Sequence, residues 1–556
     1  MNEEKPRTRE QIFTDMFREL RTWNQEIPAS PERMDPILRI LMQMYAGQLE
    51  GINRRVDRLW DVATSSLIRS VCPDASRWPV PAHTVMKCEL VDPVVEVDTH
   101  CRMVYKEQRE GGQTFFFAPV RNEKLISGKV FGLILQSENN QITLPSFSQT
   151  GAARTQTSGE PVSAAGARHM YLLVEWGGQA EDLAGATLFL RGRPEALQQL
   201  QWAHWLPMDA TGTFKYESNF CPGNMDTIER MFSPDGRSPR FWGSFRSSGT
   251  IFDDLRDNFV LFQEEFVRTL KPVDVSNPRL QELGLGLGAP PAGSKYYLFR
   301  LDLPPRGDRR ALLDGVAADF GCFVATNRNE LTLFKHTGGN RVVDIQLPEP
   351  VDTVLEIVRV VDARGQEFLP RYNVRQGETE NTYTVEERDG RLLLWFDFSN
   401  LMVQPPDSLT VTYAVTNGSS ANGIEPGVIV NLYENHPGIN ALQNINSTAG
   451  AVPAKTEAQI LTEVSNRVRG RDRALTFADV AAWSRTFDPR IIDVECENGV
   501  QRTSSGVRRC IVVGIHVAER DFMSGEELQL LKQRLAAFLK ARSSVNVQYQ
   551  VEVIFR

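Results

Sequence analysis

Apolar residues recur at spacings of three and four in the first part of the chain, which is the periodicity of one helical face. Between Pro31 and Ser66 the only glycines are Gly47 and Gly51. The apolar stripe consists of Leu38, Leu41, Tyr45, Leu49, Ile52, Val56, Leu59 and Ala63. This pattern predicts a helix of about 35 residues with an apolar seam. Two interpretations stay open: the seam lies across its own domain, or it joins a coiled coil or bundle with another chain.

After Pro73, Pro79 and Pro81 the apolar pattern changes to alternation, which is typical of strands. The predicted strands are Val85 to Leu90, Thr114 to Phe117, Val130 to Leu135, Met170 to Val174, Tyr296 to Leu303, Thr353 to Asp362, Leu392 to Phe398 and Leu409 to Val415. Polar, Gly- and Ser-rich stretches interrupt them. Ser137 to Gly166 predicts an exposed loop, Gly212 to Gly249 a segment that orders against a partner, and Leu283 to Gly293 a hinge.

The last 80 or so residues have clear helix starts. Thr476 opens a short helix with Asp479 three positions on, and Ser524 opens a longer helix with Glu527 in the capping-box position. The predicted order is helix, strand Ile491 to Cys496, strand Arg509 to Val517, helix Glu526 to Ala541 and strand Asn546 to Phe555. The outcome is a small sandwich with the helices on one face of the sheet.

A chain of 556 residues is too long for one core and should divide into several domains. We expect an α+β multidomain protein with a long N-terminal helix, β-rich middle domains and a small C-terminal α/β sandwich. The predicted divisions are an N-terminal helical segment at 1–72, a β-rich domain with a helix at 73–210, an irregular segment at 211–290, a second β-rich domain at 291–455 and an α+β domain at 456–556.

Composition narrows the classes of function. The chain is 41% hydrophobic and 24% charged with a net charge of -8, which is typical of a soluble globular protein and disfavours nucleic acid as a partner. No apolar run has the length of a membrane span, and the N-terminus lacks a signal-peptide pattern, so we expect a cytoplasmic protein. The seven cysteines are dispersed without a C-x-x-C pair, which favours reduced thiols over disulfides or zinc ligands.

Catalytic signatures are missing from the sequence. It has no G-x-S-x-G, H-E-x-x-H or P-loop motif, and Pro290 and Pro291 follow Gly284, Gly286 and Gly288 where a dinucleotide-binding helix would begin. The histidines are dispersed, and His204, between Trp202 and Trp205, is expected to pack at a helix end. Glu378, Glu380, Glu386 and Glu387 are expected at a solvated hairpin tip. We therefore expect no enzyme activity, no cofactor and no metal site.

The most informative stretch is Leu188 to Leu206, an apolar strand that turns through Gly192 and Pro194 into a helix with Leu197, Leu200 and Ala203/His204 on one face. It resembles a strand-turn-helix of the TssF family of type VI secretion baseplate subunits. Further segments follow in the family's order: Cys72-Pro73 with Trp78 to Val85, Phe115 to Pro119, Asp254 to Phe262, Gly321 to Phe334, Leu355 to Val361, Tyr413 to Gly418 and Ser543 to Val547. Ala82 stands where the family has a serine, and Ala325 stands where it has a proline.

A second resemblance is to the baseplate J family of contractile phage tails. It is found in the segments Gly418 to Gly427, Asn435 to Asn440 and Ala449 to Pro453.

The resemblance implies a structural wedge subunit of a contractile injection machine, placed in a cytoplasmic baseplate docked at the inner membrane. Its implied partners are a second copy, a TssG-like subunit, TssK-like and TssE-like baseplate proteins and a VgrG-like spike, without direct membrane insertion. The candidate partner-binding residues are those of the bundle helix: Leu38, Leu41, Tyr45, Leu49, Ile52, Val56 and Leu59. The alternatives are a baseplate J-like subunit of an extracellular injection system or phage tail, and a β-rich carbohydrate-binding or adhesive module.

Overall fold

The structure is a computed structural model, which describes residues 8–556 with internal gaps. The gaps are residues 25, 53–78, 109–111, 137–140, 144–165, 210, 215–219, 223–254, 279–289, 306, 314–315, 371–380, 389, 399–404, 455–459, 461–463, 466–472, 489, 504–505, 523–524 and 544–546. The chain forms two compact units, Met1–Ala75 and Ser76–Arg556.

Two helices make up the described part of the first unit. Helix α1, Arg9–Trp23, begins with a capping box in which Thr8 and Gln11 exchange hydrogen bonds. Helix α2 is described over residues 36–52. It confirms the helical prediction for this region as far as the described residues reach.

The predicted start of that helix at Pro31 is wrong. Pro31–Arg33 form a single 3-10 turn, and α2 begins only after Asp35. The Asp35 carboxylate accepts hydrogen bonds from the backbone N–H groups of Ile37 at 2.8 Å and Leu38 at 3.2 Å. Asp35 followed by Pro36 is a strong start signal, because aspartate caps free N–H groups and proline is tolerated at the first helical position.

The second unit is mostly strands. Its strands are β1 His83–Leu90, β2 Val94–Val97, β3 Met103–Lys106, β4 Thr114–Pro119, β5 Glu123–Ile126, β6 Lys129–Gln136, β7 Gln141–Thr143, β8 His169–Trp176, β9 Thr187–Arg191, β10 His204–Pro207, β11 Phe259–Leu261, β12 Lys295–Asp302, β13 Ala317–Asp319, β14 Cys322–Asn327, β15 Asn329–His336, β16 Val342–Pro350, β17 Val354–Asp362, β18 Glu367–Pro370, β19 Thr382–Arg388, β20 Arg391–Asp397, β21 Ser408–Val415, β22 Asn431–Leu432, β23 Ile439–Asn444, β24 Asp493–Thr503, β25 Gly506–Val517 and β26 Tyr549–Phe555. Its helices are α3 Pro194–Gln201, α4 Glu264–Val267, α5 Arg309–Leu313, α6 Phe477–Phe487 and α7 Gly525–Arg542. Each strand predicted from alternation is present, so the α+β class is confirmed.

The first sheet combines distant parts of the sequence. Its order is β22-β3-β4-β14-β1-β23, and β14 pairs antiparallel with both β1 and β4. Gly321 makes the close approach possible, because a Cβ there would lie 2.9 Å from the carbonyl oxygen of Cys88, and its φ is +69°. The strands before residue 210 and those after residue 291 therefore share one sheet.

The Leu188 to Leu206 stretch lies in the largest core. Strand β9 is the centre of a β11-β9-β13 sheet, and a five-stranded sheet β10-β12-β8-β6-β7 lies in the same core. Pro194 occupies the first turn of α3, and Leu197 and Leu200 are buried as the pattern predicts. Within the predicted irregular range 211–290, Phe262 and Phe266 stack at 5.9 Å between centroids in this core.

His204 does not pack at the end of α3, so that prediction is wrong. The helix ends at Gln201, and His204 begins β10, where it pairs with Asp302 of β12. Its side chain is exposed, whereas Trp205 is buried and donates its indole N–H to the Leu200 carbonyl at 3.0 Å. Long-range pairing with β12 overrides the helical periodicity that continues through Ala203.

Strands β15 to β21 form a seven-stranded sheet with its own core. The order is β15-β21-β17-β18-β19-β20-β16, and β18 and β19 pair in parallel, whereas the other pairs among the described strands are antiparallel. Strand β16 alternates between buried and exposed residues, with Val343, Ile345 and Leu347 inside. Glu387 is exposed near the β19–β20 turn, as expected of a hairpin tip, while Glu378 and Glu380 lie outside the described residues.

The C-terminal domain follows the predicted order of helices and strands. Strands β24, β25 and β26 form a sheet in that order, with α6 and α7 against one face. Thr476 and Asp479 make the predicted capping box, whereas Ser524 lies outside the described residues. The hairpin β24–β25 is longer than predicted, because Glu497, Asn498 and Gly499 break the apolar alternation without ending the strand.

The predicted polar segments are only partly described. Of Ser137 to Gly166, the structure describes Gln141–Thr143, which form β7, and Gly166. Most of Gly212 to Gly249 and of the predicted hinge at Leu283 to Gly293 lies outside the described residues. These loop predictions therefore stay predictions.

Candidate partner-binding surfaces

Helix α2 buries a narrow strip within the first unit. Met42 and Ala46 are 6% and 0% exposed, and they lie four residues apart, which places them on one side of the helix. Met42 shares a small core with Phe17 and Met34. Residues from α1 and the following loop pack around it: Phe13, Met16, Leu20 and Ile27. This strip attaches α2 to α1.

The predicted seam lies outside that strip. Leu38, Leu41, Tyr45, Leu49 and Ile52 are all exposed, by between 39% and 60%. Successive residues of an α-helix are rotated by about 100° around its axis. By this rotation the five side chains lie within less than a quarter of the helix circumference, next to the buried strip, so they form one continuous face. Val56 and Leu59, the remaining candidate residues, lie outside the described residues.

The exposed apolar face is wider than the sequence indicated. Ile37, Ile40 and Met44 extend it on the side away from Met42, and each is more than half exposed. The spacing Ile37, Ile40, Met44 is itself a helical stripe, so a wider window would have found it. We call Ile37, Leu38, Ile40, Leu41, Met44, Tyr45, Leu49 and Ile52 the α2 face.

The α2 face is unusual for a water-exposed surface. Single exposed apolar residues are common on soluble proteins, but continuous apolar patches mark interaction sites. Within the described part of the helix, Gln48 is the one polar residue whose position falls among those of the α2 face. The charged residues Arg39 and Glu50 lie on the other side of the helix. The arrangement suits helix-to-helix packing, in which apolar side chains of one helix fill the grooves of another.

The C-terminal domain has a core that is separate from the other cores. Its buried apolar residues all lie between Ala474 and Val553. Beneath the loop at 519–522, Arg490 donates to the carboxylates of Asp488 at 2.7 Å and Glu527 at 2.6 Å. All three side chains are almost fully buried, and the Arg490 guanidinium lies 4.3 Å from the centroid of the Phe522 ring.

Polar contacts attach this domain to the rest of the second unit. Asn422 donates to Asp521 at 2.8 Å, the Gly450 N–H donates to the Asp521 carbonyl at 3.2 Å, and Gln533 donates to Glu195 at 3.2 Å. Burial raises the pKa of the Asp521 carboxyl, although the hydrogen bond from Asn422 opposes this shift. A separate core with mainly polar attachments is typical of a domain that can be removed as a unit.

His83 lies at this junction. Burial, together with the nearby Arg490 charge, lowers the pKa of its imidazole to about 3. The imidazole is therefore neutral at ordinary pH. Gly450 lies against the ring, since a Cβ at that position would be 2.4 Å from a ring carbon.

Two cysteine thiols of the described residues, Cys88 and Cys101, are shielded from water to different degrees. Burial raises the pKa of the Cys88 thiol to about 12 and that of Cys101 to about 11, so neither forms a thiolate nucleophile at neutral pH. Across the described ranges, no group of three or more His, Cys, Asp and Glu side chains is placed to hold a metal ion. No helix in those ranges is both long and apolar enough to span a membrane.

No family model and no curated protein matches the chain. Several solved structures contain chains that are similar to this one, and three of them are baseplate structures. One belongs to the TssK-TssF-TssG baseplate subcomplex of a type VI secretion system, with 13% identity and a TM-score of 0.45, covering 93% of this chain and 96% of that chain. Another belongs to a type VI secretion baseplate complex, with 14% identity and a TM-score of 0.37, covering 98% and 97%. A third belongs to the anti-feeding prophage baseplate, with 10% identity and a TM-score of 0.29, covering 97% and 70%. All three are baseplate structures, and their chains are similar to this one at 10% to 14% identity.

Proposed function

We propose that this protein is a structural wedge subunit of the baseplate of a contractile injection machine, in the manner of the TssF family, and that it has no turnover chemistry of its own. The observation that carries the proposal is the α2 face. Its apolar residues are between 39% and 71% exposed, so covering each one with a partner would contribute about half of the roughly 1.5 to 3 kcal/mol that fully burying such a side chain contributes, before ordering costs. A helical partner chain is the simplest cover.

The partners follow from the sequence resemblance. The α2 face would join a bundle with a second copy of this chain and a TssG-like subunit. TssK-like and TssE-like proteins and a VgrG-like spike would complete the baseplate, in the cytoplasm at the inner membrane. The shared order of the family segments from Trp78 to Val547 supports this assignment.

The test replaces two residues of the α2 face with charge. Leu49→Glu with Ile52→Glu should weaken binding of a co-expressed TssG-like subunit by roughly a hundredfold or more, because each change removes an apolar contact and also places a carboxylate in the interface. Arg39→Glu is a matched control: it changes the net charge by the same amount, from an exposed position off the α2 face. Co-purification and light scattering measure the outcome. Normal assembly of the double variant, with the control also normal, would overturn this role of the α2 face.

The C-terminal domain would connect neighbouring wedges and close the six-fold ring. Strand β26 is an edge strand of its sheet, and edge strands pair readily with other chains. Truncation after Lys455 should leave the wedge with its TssG-like partner intact and prevent ring formation, because the domain has its own core. Electron micrographs of the truncated complex provide the measurement. Rings of normal size would place closure elsewhere.

Absence of turnover chemistry is tested separately. No single His, Asp or Ser substitution should abolish secretion while leaving folding and assembly intact.

A baseplate J-like subunit is the second candidate, supported by the segments Gly418 to Gly427 and Asn435 to Asn440. The two candidates differ in their partner, so finding a TssG-like chain in the purified complex decides between them.

A further inference from the structure

The backbone of strand β26 has a defined outer edge. The Arg556 N–H donates to the Val517 carbonyl at 3.1 Å, so Arg556 points its backbone groups toward β25. Successive residues of a strand point these groups to opposite sides. The N–H and C=O groups of Val553 and Phe555 therefore point away from β25, to the side of β26 on which the sheet order has no further described strand.

The side chains at this end of β26 are apolar and exposed. Ile554 is 37% and Phe555 54% exposed, whereas Val551, nearer the start of the strand, is 9% exposed. An exposed apolar edge strand is a template for pairing with another chain. The end of β26 therefore has both the backbone groups and the side chains that a further strand would cover.

Two opposite charges flank Ile554 on one face of the strand. Val553 lies opposite the buried Ile515, so it is on the face that the helices cover. Alternation places Glu552, Ile554 and Arg556 on the other face. The side chains of Glu552 and Arg556 are both exposed. This face of the edge thus has a negative charge, an apolar side chain and a positive charge in that order.

The neighbours of these two charges within the chain leave this order intact. Gln550 donates its side-chain amide to the Glu552 carboxylate at 2.9 Å, and this donor is neutral. Arg556 lies close enough to Asp493 for their charges to interact. Asp493, however, is already paired with Arg485 at 2.6 Å. A partner strand therefore meets one carboxylate and one guanidinium, four residues apart.

We propose that β26 of one copy pairs antiparallel with β26 of a second copy, about a two-fold axis at Ile554. Glu552 of each copy then lies opposite Arg556 of the other, and Ile554 lies opposite its own counterpart. Val553 and Phe555 exchange backbone hydrogen bonds across the axis. The inference rests on the proposed role of the C-terminal domain between copies, and it names the element that makes that contact.

Charge selects this register among those that the backbone allows. An axis at Glu552 would place the two Glu552 carboxylates opposite each other, and like charges in that position destabilise a strand pair. An axis at Val553 would place Glu552 opposite Ile554 and Arg556 opposite Gln550, so neither charge would meet its opposite. The axis at Ile554 gives two ion pairs. Such a contact uses the same surface in both copies and joins them in pairs, so ring closure also needs the separate contact at the α2 face.

The first test exchanges the charges. The parent is the full-length chain with Leu49→Glu and Ile52→Glu, which removes the proposed α2 contact, and its dimerisation is measured by sedimentation. Glu552→Arg or Arg556→Glu alone should weaken dimerisation roughly tenfold, because each places like charges opposite each other on both sides of the axis. An equal mixture of the two variants should dimerise like the parent, since both ion pairs are then present in each mixed dimer. The chain with both changes should also dimerise like the parent.

The second test measures the register. Residues that lie opposite each other in a non-hydrogen-bonded antiparallel pair have Cα atoms about 4.5 Å apart, which a disulfide can span. Ile554→Cys in the natural chain should therefore give a disulfide-linked dimer on mild oxidation, seen on a non-reducing gel beside the oxidised natural chain. Gln550→Cys, on the same face of β26, is the matched control and should give none, because the two positions would lie roughly 25 Å apart.

Controls separate this contact from folding. Glu497→Arg makes the same charge change on β24, on the far side of β25, and should leave dimerisation unchanged. Circular dichroism verifies that each variant folds. If Glu552→Arg fails to fold, Glu552→Gln takes its place and should also weaken dimerisation, because both ion pairs are lost.

The outcomes distinguish this contact from the wider proposal. A monomeric parent, single variants that dimerise like the parent, a mixture without recovery, or no disulfide dimer from Ile554→Cys would overturn the β26 pair. If truncation after Lys455 still prevents rings in that case, the domain's role between copies stands and its contact lies elsewhere. If rings form without the domain while Ile554→Cys gives the linked dimer, the β26 pair stands and the closure role fails.

Discussion

The α2 face and the core around α3 are built from the same kind of sequence pattern but have opposite surroundings. Leu197 and Leu200 recur at helical spacing and are buried by strands of their own chain. Leu41, Tyr45 and Leu49 also recur at helical spacing, but they are exposed. Apolar periodicity therefore shows which side of a helix avoids water, but not whether the cover comes from the same chain or from another.

The largest effect is expected in the α3 core. Leu200→Asp places a carboxyl group in the core that Leu200 shares with Phe262 and Trp205. The second unit should fail to fold, because burying this group without a partner, together with the lost apolar packing, costs several kcal/mol, a large part of the whole stability of a domain. Soluble yield and limited proteolysis provide the measurement. Trp202→Ala, two residues away and 54% exposed, is the control and should fold normally. A folded, protease-resistant Leu200→Asp chain would contradict the description of this core.

The next largest effect is expected for Met42, the buried one of two methionines in α2. Met42→Ala removes a buried side chain from the small core with Phe17 and should destabilise the α1–α2 pair by about 2 to 5 kcal/mol. Hydrogen exchange of the amides in α1 should then become faster. Unchanged exchange would mean that Met42 does not hold the two helices together.

A smaller effect concerns His83 at the junction of the C-terminal domain. Its folded pKa of about 3 lies below the unfolded value, so the stability from keeping it neutral is complete above pH 6.5 and is lost as the pH falls toward 3. Between pH 7 and 5.5 the natural chain should lose about 1 kcal/mol more than His83→Phe, which cannot be protonated. Thermal unfolding followed at both pH values measures the difference. Equal losses in the two chains would show that His83 takes up no proton on unfolding.

The smallest effect is the counterpart of Met42. Met44 is 57% exposed on the α2 face, so Met44→Ala should change the stability of the isolated chain by no more than about 0.5 kcal/mol. The same change should weaken the proposed partner complex. Hydrogen exchange of the free chain and affinity for the partner should both be measured for the two variants. Met42→Ala should change the hydrogen exchange, and Met44→Ala should change the affinity. A large loss of stability in the free chain would assign Met44 to an internal core.

Much of the local structure was accessible from the sequence. Alternation located β6, β8, β12 and β21, and capping signals located α6, because a strand or helix start depends on residues close in sequence. The C-terminal order of helices and strands was predicted for the same reason. The start of α2 was misplaced although Asp35 and Pro36 marked it, so that error lay in the interpretation and not in the signal.

The sequence predicted that an apolar seam runs along this helix and named its residues. Those from Leu38 to Ile52 lie in the described part of the chain and are on one helical face. The sequence did not reveal that Met42 and Ala46 form the attachment to α1, because a helix with apolar residues on two adjacent sides has no unique buried side. Ile37, Ile40 and Met44 were missed for the same reason. The full length of the hairpin β24–β25 was missed because Glu497 to Gly499 interrupt the alternation that marks a strand.

The sequence by itself determined the types of element, the apolar faces and the resemblance to contractile baseplate subunits. Only the tertiary structure decided which elements meet: β14 lies between β1 and β4 although more than 200 residues separate them in sequence, and His204 begins a strand because β12 lies beside it. The physical reason is that periodicity and capping are local properties. Sheet pairing and burial instead depend on which distant surfaces exclude water together, and only the folded chain brings those surfaces into contact.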